Sequence, residues 1–375
     1  MEKNFDFSKT YYTVIDHTKT YWGAQIHDGL NVLTGKIWEK SPDRKEFYFT
    51  DYKNLPLLFK SNSWIREVMI PEDAEIFLLQ DNKRWSTDKI ILGKKYHIND
   101  DFEEWFKPDE FEWGYSNLLA EYCNKNFDKW FDTNKYDWDV CYSLAMYCSK
   151  DFDKWFNPNK YDWYFTHYLA KYCSEYFDKW FDSDKYNWKY SMELAEYCPE
   201  HFDKWFDSNK FNWSYSFALA KHCSQHFDKW FDSKKYNWSA PHYLAQYCPQ
   251  HFDKWYDPEK YDKKYFTYII KYCNKSFDKW FDSEKFDWKY SQYIAKYNSM
   301  HFDKWFNPDK FDWKHASSHL IKFNSKYFDR WFYPEKLNWD NYKLLEKYCP
   351  EHKDKWGKYL SKKSINEFVK SKNFK

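Results

Sequence analysis

From Trp105 onward a tryptophan returns every 25 residues inside variants of Phe-Asp-Lys-Trp-Phe. It stands at Trp105, Trp130, Trp155, Trp180, Trp205, Trp230, Trp255, Trp280 and Trp305, then at Trp331 and Trp356 after a one-residue slip. Every motif but the last is followed eight residues later by a second tryptophan (Trp113, Trp138, Trp163, Trp188, Trp213, Trp238, Trp288, Trp313, Trp339), with Lys263 as the exception. A fixed period of this length means supersecondary units, none of which can bury its apolar face alone, so the units must stack.

Residues 137–161 show how one unit is built. Asp137 can cap a helix A running from about Trp138 to Cys148, and most other copies carry Asp or Asn at that place. The inward stripe is Cys141, Leu144, Ala145 and Cys148, small enough for close helix approach. Ser149 offers a second cap for a helix B over about Lys150 to Phe156, where Phe152, Trp155 and Phe156 share one face and Asp153 and Lys154 point outward. Asn157-Pro158 ends it.

Residues 1–100 differ in texture. Short β-prone runs at 11–15, 46–50, 65–70, 75–79 and 89–92 are separated by Gly, Pro, Asp or Asn turns. The fold class expected is an α+β, β-rich N-terminal domain (1–100) followed by an all-α solenoid of about ten two-helix repeats (101–356). A basic C-terminal capping helix or tail (357–375) follows, with Leu360, Ile365, Phe368 and Val369 as its apolar side. No Gly/Ser-rich or Pro-rich linker separates Leu92 from Trp105, so the N-terminal domain is expected to dock on the first repeats and cap them.

The charge is balanced, 59 basic against 58 acidic residues, which argues against a nucleic-acid groove and its cationic stripe. No stretch reaches the roughly 18 apolar residues of a membrane span, and Met1-Glu2-Lys3-Asn4 opens no secretory signal, so a cytoplasmic protein is expected. Eight of the nine cysteines occupy one repeat position, at which Asn298 and Asn324 stand in two copies. Neighbouring helices lie roughly 8–10 Å apart, too far for disulfides between copies, and free thiols in a reducing compartment follow.

The repeated Phe and Trp read as core between layers, whereas Tyr190 and Tyr197, and Tyr290 and Tyr297, lie seven apart on one helix face and form a candidate surface ladder. Cys-x-x-His occurs four times, but its histidine place is Asn126, Asp151, Tyr176, Ser276 or Tyr327 elsewhere, so no metal and no cofactor is expected. Asp-Lys pairs such as Asp153/Lys154 recur too regularly to form one catalytic pocket and read as a soluble exterior with local charge contacts.

Two resemblances arise in residues 1–100. The ordered segments Gly29-Leu30-Asn31, Phe47-Tyr48-Phe49-Thr50-Asp51, Arg66-Glu67-Val68-Met69-Ile70-Pro71-Glu72-Asp73-Ala74 and Trp85-Ser86-Thr87-Asp88-Lys89-Ile90-Ile91-Leu92 resemble the N-terminal domain that precedes ankyrin repeats in uncharacterised proteins of mimivirus-like giant viruses. The repeats are not ankyrin, since Thr-Pro-Leu-His is missing and the period is 25. They resemble aromatic-rich repeats of giant-virus and large-phage proteins. A second resemblance, to ADP-ribosyltransferases, rests on strand order alone: His17, Tyr48 and Glu67 would supply the His-Tyr-Glu layout around NAD.

The leading expectation is a non-enzymatic interaction scaffold whose solenoid face engages a protein partner, which the resemblance implies is viral and acts inside a host cell. The alternatives are an N-terminal ADP-ribosyltransferase-like enzyme or nucleotide-binding module with the solenoid recruiting its target, and an aromatic-ladder ligand binder. Departures at Ala240-Pro241, Lys263 and His315-Ala316-Ser317-Ser318-His319 mark places where a binding surface can be tuned. The oligomeric state is left open.

Overall fold

Short runs of β-prone residues between turns form the strands of the N-terminal domain. The computed structural model describes residues 5–16, 20–21, 24–33 and 46–360, and the chain falls into two compact units, Met1–His201 and Phe202–Lys375. The first unit opens with β1 (Tyr11–Ile15), β2 (Thr20–Tyr21), β3 (Ala24–Gln25), β4 (Gly29–Val32), β5 (Phe47–Phe49), β6 (Trp64–Met69), β7 (Ile76–Leu78), β8 (Trp85–Thr87) and β9 (Lys89–His97). A four-stranded antiparallel sheet has the order β1-β6-β9-β4, a three-stranded one β5-β8-β7, and β2 pairs with β3. The last strand outruns the expected 89–92 by five residues because β6 pairs along it as far as Trp64 with His97.

Tyr11, Ile15, Leu33, Phe47, Phe49, Val68, Ile90 and Leu92 form the core of this domain. Between Arg66 and Val68 the β6–β9 register shifts. Gly93 fits there because a Cβ on it would lie 3.4 Å from the Glu67 carbonyl oxygen, a tight approach.

The sheet runs straight into the repeats. Ile98, fully buried just past β9, accepts a hydrogen bond through its carbonyl from Trp105 Nε1 at 3.1 Å. The next first-motif tryptophan makes the same bond seven residues back, Trp130 to Cys123 at 3.0 Å, so the strand end supplies what a preceding repeat would. Phe59 packs edge-on against Trp105 (5.5 Å), Tyr52 Oη accepts from Lys107 N (2.7 Å), and Asn126 Nδ2 donates to the Asn99 carbonyl (2.9 Å).

One repeat of this unit resolves helix A into a 3-10 turn, Trp138–Val140, and an α-segment, Tyr142–Tyr147. The Asp137 carboxylate accepts from Asp139 N at 3.1 Å, as a capping residue should. Ser149 is not the cap expected for helix B. The 3-10 turn Ser149–Asp151 starts on it, Cys148 holds the cap position without a side-chain bond, and the α-turn Phe152–Trp155 follows. Segments of four to seven residues are far below the ~12–15 needed for an isolated helix, so stacking holds them. Trp155 Nε1 donates to the Cys148 carbonyl (2.9 Å), Cys148 Sγ donates to the Ala120 carbonyl of the preceding repeat (3.8 Å), and Asp137 N donates to Ser116 Oγ (3.2 Å).

The second unit repeats these bonds, with Trp255 Nε1 to Cys248 O at 2.9 Å and Cys248 Sγ to Ala220 O at 3.6 Å. Where asparagine replaces cysteine it reaches the same acceptor more closely: Asn298 Nδ2 to Ile270 O and Asn324 Nδ2 to Ala295 O, both 2.7 Å. The repeat position therefore selects a small buried donor. The one-residue slip is absorbed in helix A, which becomes a continuous α-helix, Trp313–Phe323, capped by the Asp312 carboxylate. Residues 353–360 are helical; Ile365, Phe368 and Val369 of the expected capping helix lie outside the described residues. The architecture is an α+β domain followed by two-helix solenoid repeats.

Candidate interaction surface

Three lanes of side chains recur on the repeats. In the first, the second tryptophans correct the expectation of interlayer core: Trp138, Trp163, Trp213 and Trp238 are half-buried, unlike the fully buried first tryptophans. The preceding turn explains this, since each indole folds back over it. Trp163 Nε1 donates to the Pro158 carbonyl at 3.0 Å, and Trp213 Nε1 to that of Ser208 at 2.9 Å. A lysine from the next repeat lies over the outer ring in several copies: Lys185 is 5.4 Å from Trp163, Lys235 5.6 Å from Trp213 and Lys260 5.7 Å from Trp238. The sequence carries the signal for this lane, a lysine 22 residues after each second tryptophan from Lys135 to Lys310.

The Asp-Lys pairs form the second lane, and their contacts run between repeats as well as locally. Lys154 Nζ binds Asp128 of the preceding repeat at 2.7 Å as well as Asp151 in its own, and Lys179 binds Asp153 at 2.6 Å. In the second unit Lys229 binds Asp203 and Lys254 binds Asp228, both at 2.5 Å. These ammonium groups hold the Asp203 and Asp228 carboxyls below the usual carboxylate range.

The third lane runs along helix A. Tyr197 is half-buried with Lys171 6.0 Å from its ring; Tyr297 lies between Lys271 (5.8 Å) and Lys296 (4.8 Å). Tyr190 packs on His167 (ring centroids 4.2 Å) and meets Tyr164 edge-on, and its hydrogen bond with Tyr164 raises its phenol pKa. Tyr290 Oη donates to the Lys263 carbonyl at 3.3 Å.

The histidines of Cys-x-x-His are stacking residues. His201 lies flat on Phe177 (4.4 Å, 6°), and His251 on Phe227 (4.3 Å, 5°), where Tyr176 lies on Phe152 (4.6 Å, 7°). Drift between His and Tyr follows, since both are flat rings. Among the described residues no cluster of His, Cys, Asp or Glu is arranged to hold a metal ion. All nine cysteines are buried as free thiols, and burial pushes Cys173, Cys248 and Cys273 up to about 12.

In the N-terminal domain His17 lies outside the described residues. Tyr48 is on β5 and donates through Oη to Glu46 Oε1 (2.7 Å); Glu67 is on β6, in the other sheet, and accepts from Tyr96 Oη (2.8 Å). The two have separate partners. A small cleft of about 300 Å³ opens beside Trp64, Arg66 and Lys95. Its guanidinium is buried and holds the exposed Asp28 carboxylate (2.6 Å) and the Gly93 carbonyl (2.7 Å), tying the β4 approach to the β6–β9 pair.

The array is broken at Lys263. An open cleft of about 890 Å³ lies where the second tryptophan is missing, with Tyr256, Tyr261, Lys263, Phe281 and Lys285 on its walls. The substitution at Lys263 is legible in the sequence, whereas the space it leaves is set by packing between repeats.

No protein-family model and no solved structure matches this chain. A stretch of it is 32% identical over 100 residues to the uncharacterized protein R869 of Acanthamoeba polyphaga mimivirus, covering 24% of this chain and 70% of that protein. No helix among the described residues is long and apolar enough to cross a membrane. Through that matched stretch, about a quarter of its length, the chain belongs to the same family as this mimivirus protein.

Proposed function

We propose that this protein is a non-enzymatic interaction scaffold, viral in origin and acting in the host cytoplasm, whose repeat surface engages a protein partner. The observation that carries the reading is the helix A lane, in which an aromatic ring recurs in every repeat and lysines lie over it in several, Lys171 at Tyr172 and Tyr197, Lys271 at Tyr272 and Tyr297 and Lys296 at Tyr297. Aromatic rings give large contact area at low entropic cost, and the lysine stems cover apolar surface while keeping their charge in water. The finer likeness of residues 1–100 to the domain that precedes ankyrin repeats, and of the repeats to aromatic-rich giant-virus and phage repeats, supports the viral part.

The test is in-cell crosslinking of the full chain, compared with a variant carrying Lys171→Glu, Lys271→Glu and Lys296→Glu. A discrete partner crosslinked to the parent and lost from an equally stable variant supports the scaffold. Labelled NAD supplied with cell extract gives the opposing arm: label transfer that Glu67→Gln abolishes would replace the scaffold with an enzyme.

A further inference from the structure

The repeat containing Lys263 lacks an indole that its neighbours show how to seat. In the second unit, Trp213 stands edge-on to Phe206 (6.4 Å, 82°) and Phe211 (5.7 Å, 78°), and Trp313 does the same to Phe306 (6.0 Å, 84°) and Phe311 (5.2 Å, 76°). The indole N–H goes to a turn carbonyl, that of Pro308 in the case of Trp313. The equivalent groups are all present around Lys263: the rings of Tyr256 and Tyr261 and the turn residue Pro258, which line the cleft.

Neighbouring side chains register the gap. Lys285, the lysine that would lie over the ring, has a side chain 86% exposed, against 41% for Lys260, 31% for Lys310 and 32% for Lys336 at the same place. Behind the cleft, Trp280 is 7% exposed where Trp255 and Trp305 are 1% exposed. Phe266 takes the place of the buried serine found at Ser216 and Ser291, and its ring meets Trp280 at 5.7 Å, closing the floor from inside. That substitution backs the core and leaves the outer seat open.

We infer that the cleft at Lys263 is a docking seat for a tryptophan side chain presented by a partner's peptide segment. This deepens the scaffold reading and rests on it. The space, about 890 Å³, exceeds what one ring fills and leaves room for flanking main chain. Its lining holds four lysines (263, 279, 285, 289) against four carboxylates (259, 278, 282, 287), so the ring is the recognised group and net charge is not.

The test uses the full chain and a fluorescein-labelled glycine-serine nonapeptide with one central tryptophan, read by anisotropy. Saturable binding is expected, weakened at least about tenfold when the peptide tryptophan becomes alanine and when the seat is filled by Lys263→Trp. It should change by less than about twofold between low and high salt. Thermal melts establish that Lys263→Trp is folded, and Lys263→Phe serves as a second filled variant. Unaltered binding to both variants, a steep salt dependence, no binding by the parent, or equal affinity for free N-acetyltryptophanamide overturns the assignment. Loss of this seat with the crosslinked partner retained would sink the inference alone, because the scaffold reading stands or falls on the helix A variant.

Discussion

The two tryptophans of a repeat should differ in what their removal does to stability, and Trp230 and Trp238 allow the comparison within one unit. Trp230 is 2% exposed and donates to the Cys223 carbonyl at 2.9 Å. Truncation to alanine leaves a closed cavity, about 3–5 kcal/mol for a large aromatic, and orphans a buried carbonyl, about 1 kcal/mol or more. A loss of about 5 kcal/mol is expected, comparable with the whole stability of many domains. Trp238 is half-buried and donates to the Ser233 carbonyl at 3.0 Å. Its removal opens to water, so the cavity term disappears and the carbonyl is hydrated. The transfer term remains: roughly 100 Å² of ring at ~25 cal/mol per Å², or about 2.5 kcal/mol. Guanidinium melts of Trp230→Ala and Trp238→Ala measure both, and hydrogen exchange shows how far each loss spreads through neighbouring repeats. Equal losses, or a larger one for Trp238→Ala, would refute the assignment of one ring to the core and the other to the surface.

Three further outcomes are expected. Cys148, Cys173 and Cys248 should label slowly in the native protein and rapidly after denaturation, and Cys273→Asn should fold with stability near the parent's, since Asn298 and Asn324 already make the Cys-position bond; rapid native labelling would contradict the buried seam. The Asp203, Asp228 and Asp329 carboxyls are held below their ordinary values by lysine partners, so their contribution is present above an unfolded pKa of about 3.9 and is lost as pH falls through the lower folded values. Melting temperature should therefore drop below about pH 4 and drop less in Asp228→Asn; a flat acid profile would mean the ladder adds nothing. A chain beginning at Asp101 should melt lower than the full protein or aggregate, because Ile98 and Phe59 no longer cover Trp105; equal solubility and stability would show that the N-terminal domain caps nothing.

What the sequence made legible was local or periodic. The cap at Asp137 and the buried stripe of Leu144, Ala145 and Cys148 follow from residue type and spacing within about a dozen residues. Depth was not legible: a period states that a residue recurs, and says nothing of which side of a layer its ring reaches, so Trp213 read as core beside Trp205. Contacts 26 residues apart, such as Lys254 with Asp228, depend on the rise from one repeat to the next. The short strands β4 and β8 escaped notice because three or four residues carry little pattern of their own; pairing with β9 and with β5 and β7 makes them strands. In the candidate site, Tyr197 and Tyr297 were visible as a lane, while the lysines that lie over them come partly from a different repeat.

Nearest-neighbour stacking also explains why a single copy can diverge. Each repeat is held by bonds to the one before and the one after, so a defect in an outer position is paid for locally and does not unfold the array. A first tryptophan cannot be the variable one, because its indole closes the layer from within. The outer tryptophan can, at about half that loss, and Phe266 restores part of the missing apolar contact from the inside. In the Lys263 repeat the outer seat stands open while Phe266, with its ring on Trp280 and Phe286, closes the floor behind it, so the core stays covered and the space is left to an incoming ring.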